Sequence, residues 1–122
     1  MEDQVSWVLE LAIKPGELDA FKAVLEEMVD GTSSVEPNTL AYQWFISDDG
    51  GTAHSVEKYA DSEALVTHIN GFMAKWAERF LAAVDVTRFT VYGNPNAAAK
   101  ELLDGFGAAY LGPLGGFSRN NP

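Results

Sequence analysis

The sequence predicts an α+β domain with the element order β-α-β-β-α-β, and three observations carry that prediction. Residues 5–13, 39–47, 52–59 and 84–92 alternate with a period of two, as strands do. The stretches that follow the first and third of these carry apolar residues at helical spacing. Gly, Pro and Asp stand at the junctions, where turns and caps require them.

In the first strand Val5, Trp7, Leu9, Leu11 and Ile13 share one side, and Ser6, Val8, Glu10 and Ala12 the other. Lys14-Pro15-Gly16 stops it. Leu18, Phe21, Leu25 and Met28, joined by Val24 and Val29, then mark a helix from about Pro15 to Asp30, with Gly31 as its C′ residue. Thr32 to Asn38 reads as a polar connection. Thr39 to Ser47 is the second strand, with Leu40, Tyr42, Trp44 and Ile46 opposite Ala41, Gln43 and Phe45. Asp48-Asp49-Gly50-Gly51 supplies a hairpin turn, and Thr52 to Tyr59 returns with Ser55, Glu57 and Tyr59 on one face and His54, Val56 and Lys58 on the other. Asp61-Ser62-Glu63 caps a second helix that carries Leu65, His68, Ile69 and Phe72. Gly71 is expected to break it, and Phe72, Trp76, Phe80 and Ala83 form a further stripe ahead of the last strand, Val84 to Tyr92. This is the split βαβ, or ferredoxin-like, order, in which antiparallel strands form one sheet with the helices on one face.

Such a sheet leaves a face bare, and here both faces carry large side chains, because Val8 and Phe45 point away from Trp7, Tyr42 and Trp44. A bare apolar face of that size predicts a homodimer with two sheets face to face, a dimeric α/β barrel. Residues 1–93 are expected to form the domain, and residues 94–122 a C-terminal extension with a short helix from Ala97 to Leu103. Phe106, Tyr110, Leu111, Leu114 and Phe117 make that extension too apolar for a solvated linker. It is expected to pack on its own domain, on the partner subunit, or across a pocket mouth.

Composition narrows the function classes. The 122 residues hold 18 acidic and 8 basic side chains, a net charge of −10 that repels phosphate backbones and anionic lipid, so neither nucleic acid nor a membrane is an expected partner. The absence of Cys removes disulfides, thiolate nucleophiles and Cys-ligated metals. His54 and His68 do not form a compact ligand set, so no metal and no other cofactor is expected. The glycines of the extension do not make a dinucleotide fingerprint. No apolar run approaches the roughly 20 residues of a membrane span, and Met1-Glu2-Asp3-Gln4 is acidic where a signal peptide is basic. A cytoplasmic location is the expectation.

From Val5 to Gly93 the chain resembles the antibiotic biosynthesis monooxygenase-like family of the dimeric α/β barrel superfamily. The resemblance rests on Ile13-Lys14-Pro15-Gly16, on Leu40-Ala41-Tyr42-Gln43-Trp44-Phe45, and on the run from Glu57-Lys58-Tyr59 through Asp61-Ser62-Glu63-Ala64-Leu65 to His68 and Phe72. It implies chemistry in which an acidic phenol or enol is deprotonated and its carbanion reduces O₂ directly. The enzyme then contributes a base, an apolar pocket and exclusion of water, with no metal or flavin. The family's haem-degrading branch places an axial His where this chain reads Trp76-Ala77-Glu78-Arg79, and an Asn in the first strand where it reads Trp7-Val8-Leu9-Glu10. The phosphosugar isomerase branch calls for a basic anchor, for which only Arg79 and Arg88 are candidates, against an acidic background.

His68, on an apolar helix stripe, is a candidate general base or else a buried His satisfied by a neighbour such as Glu57 or Tyr59. Glu57, in a strand interior where carboxylates are depleted, either orients His68 or pairs with Arg79 or Arg88. Tyr42, Trp44, Tyr59 and Trp76 offer flat, polar-tipped surface to a small apolar or aromatic ligand, and core packing explains the same residues without one. Arg88 either stabilises an enolate or an O₂-derived anion, or bridges to Glu10 or Glu57. The leading expectation is a cofactor-independent monooxygenase acting on an aromatic or enolic molecule. The alternatives are a non-catalytic small-molecule binding dimer and an isomerase or cyclase of the same fold. Each requires an enclosed cavity of roughly 300 Å³ or more at His68.

Overall fold

The structure, a computed structural model, describes residues 3–119. The elements are β1 (Val5–Ile13), α1 (Leu18–Val35), β2 (Thr39–Ile46), β3 (Thr52–Tyr59), α2 (Ser62–Lys75), α3 (Ala77–Ala83), β4 (Val84–Tyr92), α4 (Ala97–Asp104) and β5 (Ala109–Leu111). The class is α+β. The sheet is mixed, with five strands in the order β2-β3-β1-β4-β5, where the sequence predicts a purely antiparallel one. The addition is β5, three residues of the extension that pair parallel to β4 after the α4 crossover. A strand that short shows no alternation, so no sequence pattern announces it.

Two helices depart from the expected boundaries, and the two departures share one cause. α1 continues through Gly31 to Val35. Gly31 is needed for contact rather than for termination, since a Cβ there would lie 2.7 and 2.8 Å from atoms of the Trp76 ring. Gly71 sits inside α2, and the helix breaks instead at Trp76, whose φ of −130° turns the chain into α3. Its indole lies against the Gly31 notch. Asp61 caps α2 by accepting the Ala64 N–H at 2.8 Å. The β2–β3 turn is held by Asp49, whose Oδ1 accepts from Ser47 Oγ at 2.7 Å and from the Gly51 N–H at 2.9 Å.

All four helices lie on one face of the sheet, over two clusters that meet at Leu9. Phe21, Val24 and Met28 of α1 and Phe80 of α3 pack on Leu11 and Ala53, while Leu65 and Ile69 of α2 and Leu103 of α4 pack on Val5, Trp7 and Val91. The strand registers set rows of side chains on this face, of which Tyr42–Glu57–Trp7–Val91 and Trp44–Ser55–Leu9–Phe89 matter here. The opposite face is more polar than the alternation of the sequence implies. Phe45, His54, Glu10 and Arg88 make one row, Gln43, Val56, Val8 and Thr90 the next, and Ala41, Lys58, Ser6 and Tyr92 the third.

The extension packs first on its own domain. Asn96 caps α4 through the Ala99 N–H at 2.9 Å, and Phe106 sets its ring 6.4 Å from Phe72 and 6.5 Å from Phe89. Beyond Leu111 the chain carries exposed Leu114 and Phe117 and reaches Lys58, whose Nζ donates to Ser118 Oγ at 2.9 Å. The last residues of the extension, 120–122, and the N-terminal Met1 and Glu2 lie outside the described residues. Among the described residues no helix is long and apolar enough to cross a membrane.

Candidate active site

The site starts from a carboxylate that a strand buries. Glu57 is 2% exposed, between Tyr42 and Trp7 in its row. Its neighbours two positions away point the same way, and both are hydroxyls. Ser55 Oγ donates to Glu57 Oε2 at 2.6 Å, and the Tyr59 hydroxyl donates to Oε1 at 2.5 Å. The period of the strand thus builds a cradle for the charge out of one short segment, Ser55 to Tyr59.

α2 lowers His68 onto this cradle, bringing Nε2 to 3.6 Å from Glu57 Oε1. The other ring nitrogen, Nδ1, lies 2.9 Å from Glu36 Oε1, which also accepts the Thr39 hydroxyl at 2.9 Å. The His68 and Glu36 side chains are 6% and 7% exposed, so the pair is shielded from solvent. The hydrogen bond to Glu36 assigns the proton to Nδ1. At 3.6 Å, Nε2 is outside hydrogen-bond range of Glu57. Glu36, immediately after α1, is thus the carboxylate in hydrogen-bond contact with His68, and Glu57, the orienter expected from the sequence, faces the other nitrogen at 3.6 Å.

Burial by itself would raise the Glu36 carboxyl, but the hydrogen bond and charge of His68, with help from Thr39 and Lys75, carry it below its ordinary 4.5. Glu36 is an anion. Burial pushes the Tyr42 phenol far above its ordinary 10, and the charges of Glu57 and Glu36 push it further. Burial, the Glu57 charge and the bond to Glu57 do the same to Tyr59. Both phenols stay neutral across the working range and can only donate or accept hydrogen bonds.

Glu57 and His68 face a cavity of about 60 Å³ whose other walls include Trp7, Tyr42, Trp44 and Phe89. Its lining is almost wholly apolar. The volume is well below the roughly 300 Å³ expected of a ligand site and below the roughly 150 Å³ that admits benzene. The expected enclosed cavity of ligand size is therefore not found at His68; what stands there is a small, partly open apolar hollow with the expected lining.

Four of the residues singled out in the sequence, Tyr42, Trp44, Glu57 and His68, come together at this cavity. Tyr59 stands behind them, fully buried, with its ring 4.8 Å from Trp7 and 5.3 Å from His68. Trp76 is absent from the lining and packs against Gly31 instead. Arg88 lies on the opposite sheet face, its side chain 72% exposed and 4.0 Å from Glu10. Arg79 pairs with Glu27 through two bonds of 2.8 Å on the surface. Sequence reasoning misses Glu36 and Trp7. The only signal for Glu36 is that a buried imidazole needs a partner at each nitrogen, and 32 residues separate it from His68. Among the described residues no group of three or more His, Asp or Glu side chains is arranged to hold a metal ion.

The sequence profile described as Antibiotic biosynthesis monooxygenase matches residues 5–85. The chain belongs to this family. No curated protein matches the chain in sequence. Among solved structures the family member is similar to MupZ from Pseudomonas fluorescens, with 24% identity, a TM-score of 0.78, and coverage of 96% of this chain and 95% of that one. It is also similar to SnoaB, a cofactor-independent oxygenase from Streptomyces nogalater, with 14% identity, a TM-score of 0.63 and coverage of 78% of this chain and 96% of that one. A conserved protein from Methanosarcina mazei gives 14% identity, a TM-score of 0.66 and coverage of 76% and 94%. At these identities the likeness concerns the fold. Coverage of 96% cannot be reached without the segment after Gly93, so MupZ shares a fold that takes in this member's extension.

Proposed function

We propose that the protein is a homodimeric, cofactor-independent monooxygenase acting on an aromatic or enolic small molecule. The single observation that carries this reading is a base held by a buried carboxylate at the wall of an aromatic, nearly apolar cavity. His68 Nε2 takes a proton from an acidic CH₂ or OH of the substrate, and Glu36 stabilises the imidazolium that results. The substrate anion passes one electron to O₂, and the radical pair combines to a peroxide anion that takes the proton back from His68 to give a hydroperoxide. Loss of water leaves a carbonyl. The CH₂ group is oxidised to C=O while O₂ is reduced, one oxygen entering the product and one leaving as water. The apolar walls exclude water from the anion. SnoaB, described as a cofactor-independent oxygenase, lends support through its fold.

The dimer belongs to the same reading. Phe45, Val56 and Tyr92 leave 55%, 37% and 38% of their surfaces exposed on the open sheet face, which a second sheet would cover. Sedimentation velocity tests it, with Phe45→Lys expected to leave a monomer.

The chemistry is tested by oxygen uptake with anthrone, an enolisable tricyclic ketone. Uptake of one O₂ per anthrone is expected, with His68→Gln, checked for folding by circular dichroism, at least about 100-fold slower. Uptake no faster than the protein-free background overturns the proposal, as does an unchanged rate in the variant.

A second reading, an isomerase or cyclase, is favoured by the neutral Tyr42 phenol beside His68. A base beside a neutral phenol that hydrogen-bonds the substrate's enolate oxygen can move a proton without O₂. Product formation under anaerobic conditions supports that reading against the first. A non-catalytic carrier is expected to keep Glu57 and His68 out of reach of the cavity, and both line it.

A further inference from the structure

With Tyr42 in its present place the inner cavity is smaller than an aromatic ring, yet it does not stand alone. A second pocket of about 380 Å³, open to solvent, lies between the end of α1 and the edge strand β2. Thr32, Ser33, Glu36 and Thr39 give it a polar side, and Val29, Pro37 and Leu40 an apolar one. Tyr42 lines both spaces. Glu36 belongs to the outer pocket and His68 to the inner one, so their 2.9 Å contact closes the boundary together with the Tyr42 ring, 5.1 Å from the imidazole.

Polar groups at that boundary are incompletely used. Thr32 is 2% exposed, and its Oγ1 has no hydrogen-bond partner of acceptable geometry, nor has the buried Trp44 Nε1. A buried hydroxyl without a partner is costly, and a ligand hydroxyl arriving in the outer pocket, which Thr32 lines, would satisfy it. Joined, the two spaces reach the size of a small-molecule site.

We propose that the outer pocket is the second half of the ligand site, receiving the neutral, hydroxyl-bearing part of an elongated ligand whose ring enters the inner cavity. Tyr42, which lines both spaces, forms the partition that turns aside when the ligand binds, and the Glu36–His68 contact is kept. The assignment rests on the inner cavity being the ligand site, as in the proposed function, and adds the chemistry of the remainder of the molecule. Hydroxyls suit the outer pocket because Glu36, Thr39, Ser33 and Thr32 offer acceptors and donors at its polar side. Phosphate or carboxylate does not suit it, because Glu36 is anionic and the whole chain carries a charge of −10. The outer pocket also lies on the edge of the sheet away from β5, so the extension does not obstruct it.

Calorimetric titration of the full chain with hydroquinone, its neutral monoglucoside and 4-hydroxyphenyl phosphate tests the proposal. The glucoside is expected to bind at least tenfold more tightly than hydroquinone, and the phosphate no more tightly than hydroquinone. Ser33→Trp, at an exposed helix position on the rim, is expected to bring the glucoside down to the level of hydroquinone and to leave hydroquinone unchanged. Thr32→Val, which removes the unpartnered hydroxyl at nearly constant shape, should erode the glucoside preference alone. The proposal is overturned if the glucoside shows no advantage, if Ser33→Trp weakens both phenols equally or neither, if the phosphate matches the glucoside, or if neither phenol binds at millimolar concentration. Glucoside preference without oxygen uptake on anthrone rejects the oxygenase and keeps the two-part site. Uptake on anthrone without glucoside preference rejects only the two-part site.

Discussion

The chain has two histidines, each paired with a glutamate, on opposite faces of one sheet. His54 Nε2 stands 3.7 Å from Glu10 Oε1 with side chains 43% and 30% exposed, whereas His68 Nδ1 stands 2.9 Å from Glu36 Oε1 with 6% and 7% exposed. The residue types are the same. What differs is how much water each pair has lost, and with it the strength of the interaction and the cost of breaking it. The open-face pair is a solvated contact in a row that also holds Arg88. The covered pair is one end of a chain that runs through His68 to Glu57 and its two hydroxyl donors. A pair becomes a candidate site when the fold removes the solvent that would otherwise satisfy it.

That contrast is open to test, beginning with the histidines. His68→Ala strips a partner from two buried carboxylates and should cost about 3–5 kcal/mol in urea unfolding, while His54→Ala should stay within about 0.5 kcal/mol. Equal costs would abolish the distinction between the faces. The tyrosine–carboxylate bonds give the next largest effect. Tyr59→Phe leaves the buried Glu57 short of a donor and should cost about 1–3 kcal/mol. Tyr110→Phe removes an exposed bond of 2.6 Å to Asp104, and water replaces it at a cost of about 0.5 kcal/mol or less. In the wild type partial burial, followed by that bond and the Asp104 charge, raises the Tyr110 phenol to about 12.

Two helical glycines sharpen the same point about surroundings. Ala in place of Gly normally favours a helix by about 0.5–1 kcal/mol, and Gly71→Ala should follow that rule, since its Cβ would meet only Glu36 Oε2 at 3.9 Å. Gly31→Ala should instead lose about 1–3 kcal/mol because the Trp76 ring is in the way. Thermal melts of the two variants should move in opposite directions. The smallest effect is the acid limb of the stability curve. The folded Glu36 carboxyl sits below its ordinary 4.5, so the unfolded chain takes up the proton first as pH falls. The stabilisation is complete above about pH 4.5 and is lost as pH drops through the lower folded value. Glu36→Gln should flatten that part of the curve.

Much of the fold was readable because strands 5–13, 52–59 and 84–92 are governed by local alternation, and the observed boundaries coincide with it. The helix ends were not readable from Gly31 and Gly71. Both look like punctuation, and one of them is a contact surface for a residue 45 positions away, Trp76. At the site, the face shared by Tyr42, Glu57 and Trp7 follows from strand parity together with register. The orienting carboxylate does not, since nothing local distinguishes Glu36 from the other acids of α1 and its surroundings. Arg88 was singled out as a cation within a strand, yet alternation alone could not say which face the helices would cover. The bulge between Glu10 and Leu11 also shifts the β1–β4 register beside it.

The sequence by itself determined the order of the elements from β1 to β4, the parity of those four strands and the acidic, cysteine-free background that constrains the chemistry. These are properties of neighbours along the chain, where turn chemistry and hydrophobic period act over a few residues. The tertiary structure alone decided which face of the sheet lost its water, that Glu36 rather than Glu57 holds His68 Nδ1, and that the aromatic cavity closes to about 60 Å³ beside a larger outer pocket. Each of those outcomes depends on the loss of solvent between segments far apart in the chain, and burial of that kind has no local signature.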